Sequence, residues 1–213
     1  MPTKRFENLD PDKRKEILHA AQAEFLKNGY KDASLNTIIE EARISKGSLY
    51  YYFEDKTDLY LTVLGHVMIQ LQKKIGGIGA GVYTENFWGD IEDYTRKSLR
   101  MIKENPDFVR LARGLFSLIS SGNVPDAVAD VINNWKGMMT SIVVRGQNIG
   151  EIRTDLPLGL LVNILWSLGE TMDFWVLSHL DEFTVDELEQ QAKVYVNLWK
   201  RIAGTKTITD NKD

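Results

Sequence analysis

The sequence predicts an all-α fold of about nine helices, and three observations predict it. Only 5 Pro occur in 213 residues. Apolar residues recur at helical spacing over long segments, with no clear run of period-two alternation. Most of those segments open on a capping side chain and close on Gly or Pro.

The first helix opens at Asp10, whose carboxylate can accept free N–H groups, with Pro11 at the first helical position. Ile17, Ala21 and Phe25 repeat every four residues, and Asn28-Gly29 stops the helix. A short second helix starts at Ser34 and turns Ile38 and Ile39 inward. After the tight turn Arg43-Ile44-Ser45, Ser45 caps a third helix, Lys46 to about Phe53. Asp55, three before Asp58, opens a fourth that runs to Gly76-Gly77. Four glycines between Gly76 and Gly81 read as a hinge or loop; no strand precedes them and no Lys-Ser/Thr pair follows, so they are not a phosphate loop. Further helices cover Trp88 to Asn105, Asp107 to Ser120, Asp126 to about Asn148 and Pro157 to about His179, with a breaker at Ser121–Pro125. Thr184 and Glu187 form a capping box for the last helix, which closes at Gly204. Thr205 to Asp213 is polar and frays.

Hydrophobic residues make up 43% and charged residues 26%, enough to build a core. With no Cys, disulfides, thiolate metal sites and a thiol nucleophile are excluded. No apolar leader follows Met1, and the most apolar stretch, Leu156 to Leu180, contains Asn163, Glu170 and Asp173. It reads as a buried helix, and the chain as cytoplasmic. The net charge is −4, and residues 1–60 carry ten Lys/Arg against eleven Asp/Glu. There is no basic footprint, so any nucleic-acid reading rests on local geometry.

That geometry lies in residues 34–53. Two short helices joined by a three-residue turn, after a longer supporting helix, form a helix-turn-helix. Leu49 and Phe53 face inward, which leaves Lys46, Ser48, Tyr50 and Tyr51 toward solvent, where a recognition helix meets base edges and phosphates. Gly47 removes a side chain where helix-start N–H groups can approach a phosphate, and Lys56 adds a cation with free N–H donors at the next helix start. Arg43 offers a further phosphate cation. Lys4 and Arg5 read as a solvated, disordered end rather than an arm on DNA.

The run Ser45-Lys46-Gly47-Ser48-Leu49-Tyr50-Tyr51-Tyr52-Phe53, with Lys56, Leu59, Phe25, Asn28-Gly29-Tyr30 and Ile38, resembles the tetracycline-repressor (TetR) family of bacterial regulators. The resemblance covers about the first sixty residues in detail. It implies that positions like Lys46, Gly47, Ser48, Tyr50, Tyr51 and Lys56 contact DNA, that Ser34 and Thr37 touch phosphates, and that Tyr52 has a phosphate or packing role. Two positions depart from the family pattern: Ile39 stands where a small Ala is usual, and Arg43 where the turn usually has Gly. An Arg held at positive φ carries strain unless the turn relaxes.

The later helices are rich in large apolar residues, most of them ordinary core. The resemblance implies an effector pocket there, for which Met101, Phe108, Phe116, Trp135, Met138, Met139, Trp166 and Phe174 are candidates. It also implies a homodimer through the last two helices, where Leu161, Leu165, Leu168, Met172, Trp175, Leu188, Tyr195 and Trp199 form stripes. Those stripes serve equally to close the monomer core. Arg100, Arg110 and Arg113 read as surface ion pairs more readily than as anion ligands. His19, His66 and His179 lack partners at metal-ligand spacing, and Glu170 with Asp173 has no nucleophile beside it, so no metal, cofactor or catalytic set is expected.

The domains expected are a helix-turn-helix unit over 1–56, an effector and dimerisation unit over 57–205, and a frayed tail over 206–213. The function expected is a cytoplasmic, homodimeric repressor that a small apolar effector releases from a palindromic DNA operator. The alternatives are an all-helical small-molecule enzyme or an adaptor with no DNA role.

Overall fold

A computed structural model describes residues 3–75, 86–120 and 124–205. The Gly76–Gly81 hinge, residues 121–123 of the breaker and the 206–213 tail lie outside the described residues. The described residues form ten α-helices: α1 Lys4–Glu7, α2 Pro11–Asp32, α3 Leu35–Glu41, α4 Lys46–Tyr52, α5 Lys56–Ile75, α6 Phe87–Glu104, α7 Pro106–Ser120, α8 Asp126–Asn148, α9 Leu158–His179 and α10 Val185–Ala203. A 3-10 turn, Leu180–Glu182, follows α9.

The helix ends follow the capping residues. Asp10 accepts from the N–H groups of Asp12 and Lys13, with Pro11 opening α2. Asp55 accepts from Asp58 N–H at 2.8 Å at the head of α5. The Thr184–Glu187 capping box is complete, and its hydrogen bonds from the Thr184 backbone and hydroxyl hold Glu187 below the usual carboxylate range. Gly29 (φ 70°, ψ 173°) leaves the helical region and interrupts α2 where the sequence places its stop, with a further turn reaching Asp32 beyond the kink. Two local expectations change. Pro157 is the cap before α9, not its first residue. The N-terminus is ordered as α1, because Phe6 is buried, its ring centroid 4.7 Å from that of Phe53.

The chain divides into two compact units. The first joins 1–74 with 104–131, the second 75–103 with 132–213. In the first unit α7 packs along α2, and Ile17, Phe25, Ile38, Leu49, Phe53, Leu59 and Leu111 are almost fully buried. At their centre Tyr60, 1% exposed, meets Phe25 and Tyr30 edge-on at 4.9 and 5.1 Å and donates its hydroxyl to the Leu111 carbonyl. Gly114 makes this possible, since a Cβ there would lie 2.3 Å from the Tyr60 hydroxyl.

In the second unit Phe87, Trp88 and Ile91 of α6 share a core with Val143, Ile152, Leu161, Val162, Leu165 and Val196. The α8–α9 connection pairs with the end of α10: Arg153 N–H donates to Ala203 O at 2.8 Å and Thr205 N–H to Glu151 O at 3.1 Å. Arg100 is paired with Glu189, as a surface ion pair. Leu158–Glu182 is long and apolar enough to cross a membrane, but Leu161 and Leu165 belong to this core and Met172 and Val176 are buried as well.

Tyr60→Phe removes one buried hydrogen bond and should lower stability by about 1–2 kcal/mol. Gly114→Ala, which forces a methyl into the phenol, should cost about 1–3 kcal/mol. Urea unfolding followed by circular dichroism measures both. Wild-type midpoints in the two variants would show that this contact contributes nothing.

Candidate nucleic-acid interface

The site is built on α2. Glu24 is buried in the apolar face of that helix and accepts from Asn28 Nδ2 and from the Ser34 N–H, each at 2.8 Å. This fixes where the chain turns into α3. Ser34 caps α3, its hydroxyl accepting from Thr37 N–H at 3.4 Å, and Thr37 is left exposed. Nothing in the local pattern announced Glu24 beyond its position between Ala21 and Phe25.

The α3–α4 turn keeps its geometry despite the Arg. Arg43 N–H donates to Glu40 O and Ile44 N–H to Ile39 O, both at 3.1 Å. These two bonds are the Schellman closure, which requires a left-handed residue between them. That residue is Arg43, at φ 51°. The strain read from the sequence is therefore present, and the turn has not relaxed. Lys13 of α2 braces it, donating to Ala42 O at 2.8 Å and pairing with Glu16.

Ser45 then caps α4, accepting from Ser48 N–H at 3.0 Å, with the two hydroxyls 2.8 Å apart. Leu49 and Phe53 anchor the inner face, 2% and 1% exposed. On the outer face Lys46 and Gly47 are exposed, Ser48 is half-buried, and Tyr50 and Tyr51 are each 50% exposed. Tyr52 is half-buried, its ring 6.0 Å from Phe6 and 5.7 Å from Tyr51. Gly47 is informative. A Cβ there would meet only the Ser45 hydroxyl, at 3.7 Å, so the protein's own packing does not demand glycine. Glycine is a weaker helix former than alanine, and an outside backbone approaching closely would account for it here.

The structure gathers Ser34, Thr37, Arg43, Lys46, Gly47, Ser48, Tyr50, Tyr51 and Tyr52 on one short stretch of α3, turn and α4. Lys56 has a different setting. Its ammonium donates to the carbonyls of Lys31 and Ala33, at 2.9 and 3.3 Å, beside the Tyr30 ring. It closes the end of α2.

The pocket candidates do not come together in one unit. Phe108 and Phe116 sit on α7 in the first unit; Met101, Trp135, Met138, Met139, Trp166 and Phe174 belong to the second, where Met138 and Phe174 are exposed. Of the dimer candidates, Leu161, Leu165, Met172 and Leu188 are buried in the protein's own core, Leu168, Tyr195 and Trp199 are half-buried, and Trp175 is 43% exposed. The side of α9 and α10 left in water instead carries Leu160, Ile164, Phe174, Trp175, Val194 and Leu198.

A family profile described as bacterial regulatory proteins, tetR family, matches residues 17–63. A transcriptional regulator from the lacX 3' region of Lactococcus lactis is 39% identical over 72 residues, 33% of this chain and 36% of the relative, so the chain matches about a third of that relative's length. The fatty acid metabolism regulator protein of Bacillus subtilis is 20% identical over 173 residues, 76% of this chain and 83% of that protein. Among solved structures, a TetR-family transcriptional regulator from Mesorhizobium loti superposes with TM-score 0.61 at 20% identity, covering 91% of this chain and 98% of its own. The fatty acid degradation regulator of Bacillus halodurans superposes at 0.66 and 14%, covering 87% and 97%. At these identities the superpositions establish the fold.

Arg43→Gly should relieve the left-handed strain and raise stability by up to about 1 kcal/mol, net of glycine's entropy. Thermal unfolding of the variant measures this. A lower melting temperature would show that the Arg43 side chain stabilises the turn by more than its φ costs.

Proposed function

We propose, for a chain that belongs to the tetR family of bacterial regulatory proteins, that it is a cytoplasmic homodimeric repressor released from a palindromic operator by a small apolar effector. The observation that carries this reading is the outer face of α4. Its inner face is complete without Lys46, Gly47, Tyr50 and Tyr51, which stand in water beside a glycine the packing does not need. Tyr50 and Tyr51 read base edges, Lys46 and Arg43 neutralise phosphates, and Ser34, Thr37, Ser48 and the N–H groups near Gly47 donate to the backbone. Lys56 contributes mainly by holding the end of α2, and Tyr52 by packing. An all-helical enzyme or an adaptor would leave this face without a purpose.

One such unit reads few base pairs, so two half-sites about 34–36 Å apart require a two-fold partner. The partner surface in this reading is the water-facing stripe Leu160, Ile164, Phe174 and Trp175 on α9, continued by Val194 and Leu198 on α10. It lies one position away from the stripe that closes the core.

The effector class follows from the apolar character of the later helices and from the relatives named for fatty acid metabolism and degradation. A long-chain acyl group is the candidate. A ligand that prefers a differently spaced dimer draws the population off DNA.

Tyr50→Ala and Tyr51→Ala should keep fold and dimer while each raises the operator Kd by roughly 5- to 150-fold, about 1–3 kcal/mol per base contact. Gel shifts with DNA from upstream of the gene, with and without long-chain acyl compounds, test reading and release together. Wild-type affinity in both variants would remove them from the reading face. Wild-type complexes that survive every acyl compound would remove the effector class.

Ile164→Glu with Val194→Glu should give helical monomers that no longer bind the operator. Leu165→Glu, aimed at a buried position, should instead unfold the second unit. Sedimentation with circular dichroism separates these outcomes, and a double variant that stays dimeric would overturn the stripe.

A further inference from the structure

Helix α1 lies outside the three-helix reader, yet it is fastened to the end of α4. Thr3 N–H donates to Tyr52 O at 3.1 Å, and the Thr3 hydroxyl donates to Tyr51 O at 3.3 Å. Phe6 is buried against Phe53, and Arg14 of α2 donates to Glu7 O at 2.7 Å, closing the other end of α1. Four residues cannot hold a helix alone, so these tertiary contacts set its place. Held there, the Arg5 guanidinium lies 4.2 Å from the centroid of the Tyr51 ring. Tyr52 meets the same ring at 71° and 5.7 Å. Among the described residues no carboxylate pairs with Arg5, and both Lys4 and Arg5 are exposed.

A guanidinium held over a ring by a cation–π contact still has N–H groups to offer, and these suit a phosphate. The seven residues of α4 span about 10 Å, close to the ~12 Å width of a major groove. Lys46 stands at one end of that span and Arg5 at the other. Glu54 and Asp55, both exposed, come just after Phe53, the residue that ends α4, so a cation at that end offsets local negative charge. Asp55 is partly engaged in capping α5, which leaves the Glu54 charge to be offset.

We propose that α1 is part of the DNA interface, with Arg5 donating to a backbone phosphate while its flat face holds the Tyr51 ring in reading position. The inference rests on the DNA-binding reading above. It makes Arg5 both a phosphate contact and a positioning residue for Tyr51.

The test uses the full chain and a duplex selected from random-sequence DNA by the wild-type protein. Arg5→Ala should weaken binding to that duplex on the order of 10-fold and lower the log–log salt slope by about one. Its thermal unfolding should match wild type, because Thr3 and Phe6 still anchor α1. Arg5→Lys should restore the slope but only part of the affinity, since an ammonium cannot lie flat on the ring. Arg5→Ala with wild-type affinity and slope overturns the inference and leaves the reader intact. A wild-type protein that enriches no sequence overturns the DNA-binding reading itself, and this inference with it.

Discussion

The first unit depends on one buried phenol. Tyr60 belongs to α5, stacks edge-on to Phe25 and Tyr30 of α2, and donates to the backbone of α7. Burial, then the neighbouring Tyr30, push its hydroxyl well above the usual phenol range, so it is a neutral donor at any working pH. Three helices therefore share one rigid ring. Because close-packed interiors deform little, a shift of α5 or α7 carries that ring and with it α2. From α2 the displacement has two direct routes to the reader: Lys13 to the Ala42 carbonyl at the α3–α4 turn, and Glu24 to the Ser34 N–H at the head of α3.

What the sequence made legible is what short-range chemistry decides. Asp10, Ser34, Ser45, Asp55 and Thr184 cap helices within three residues of themselves, and each does so in the structure. The all-α class and the helix-turn-helix follow from the same local signals. Arg43 was legible too, since a left-handed turn position constrains φ whatever the side chain.

What stayed hidden is non-local. Helix α1 is too short to show a period, and it exists because Thr3 and Phe6 meet residues almost fifty positions away. Glu24 and Lys56 each satisfy backbone groups ten or more residues away, a structural role that the sequence pattern does not reveal. The α9 stripes show a different failure. That helix is apolar on more than one side, so a three-and-four spacing fits Leu161–Leu165 and Leu160–Ile164 alike. Periodicity finds a face, but only the packing says which face is already covered.

The charge balance sharpens what the reader must do. A chain of net charge −4, with about −1 over its first sixty residues, gains little from the general attraction between a basic protein and DNA. Non-specific affinity comes almost wholly from phosphate neutralisation, and in the proposed reading Arg5, Arg43 and Lys46, all exposed, supply the cations. A small electrostatic background leaves a larger share of discrimination to groups that touch base edges. In the proposed reading Tyr50 and Tyr51 have to be held in one orientation, because a mobile ring loses more entropy on binding than a fixed one. The stacked Arg5, the Tyr52 edge and the double Thr3 anchor supply that constraint for Tyr51. The strained Arg43 and the unneeded helical Gly47 lie on the same surface, so the reader departs from local stability where it faces outward.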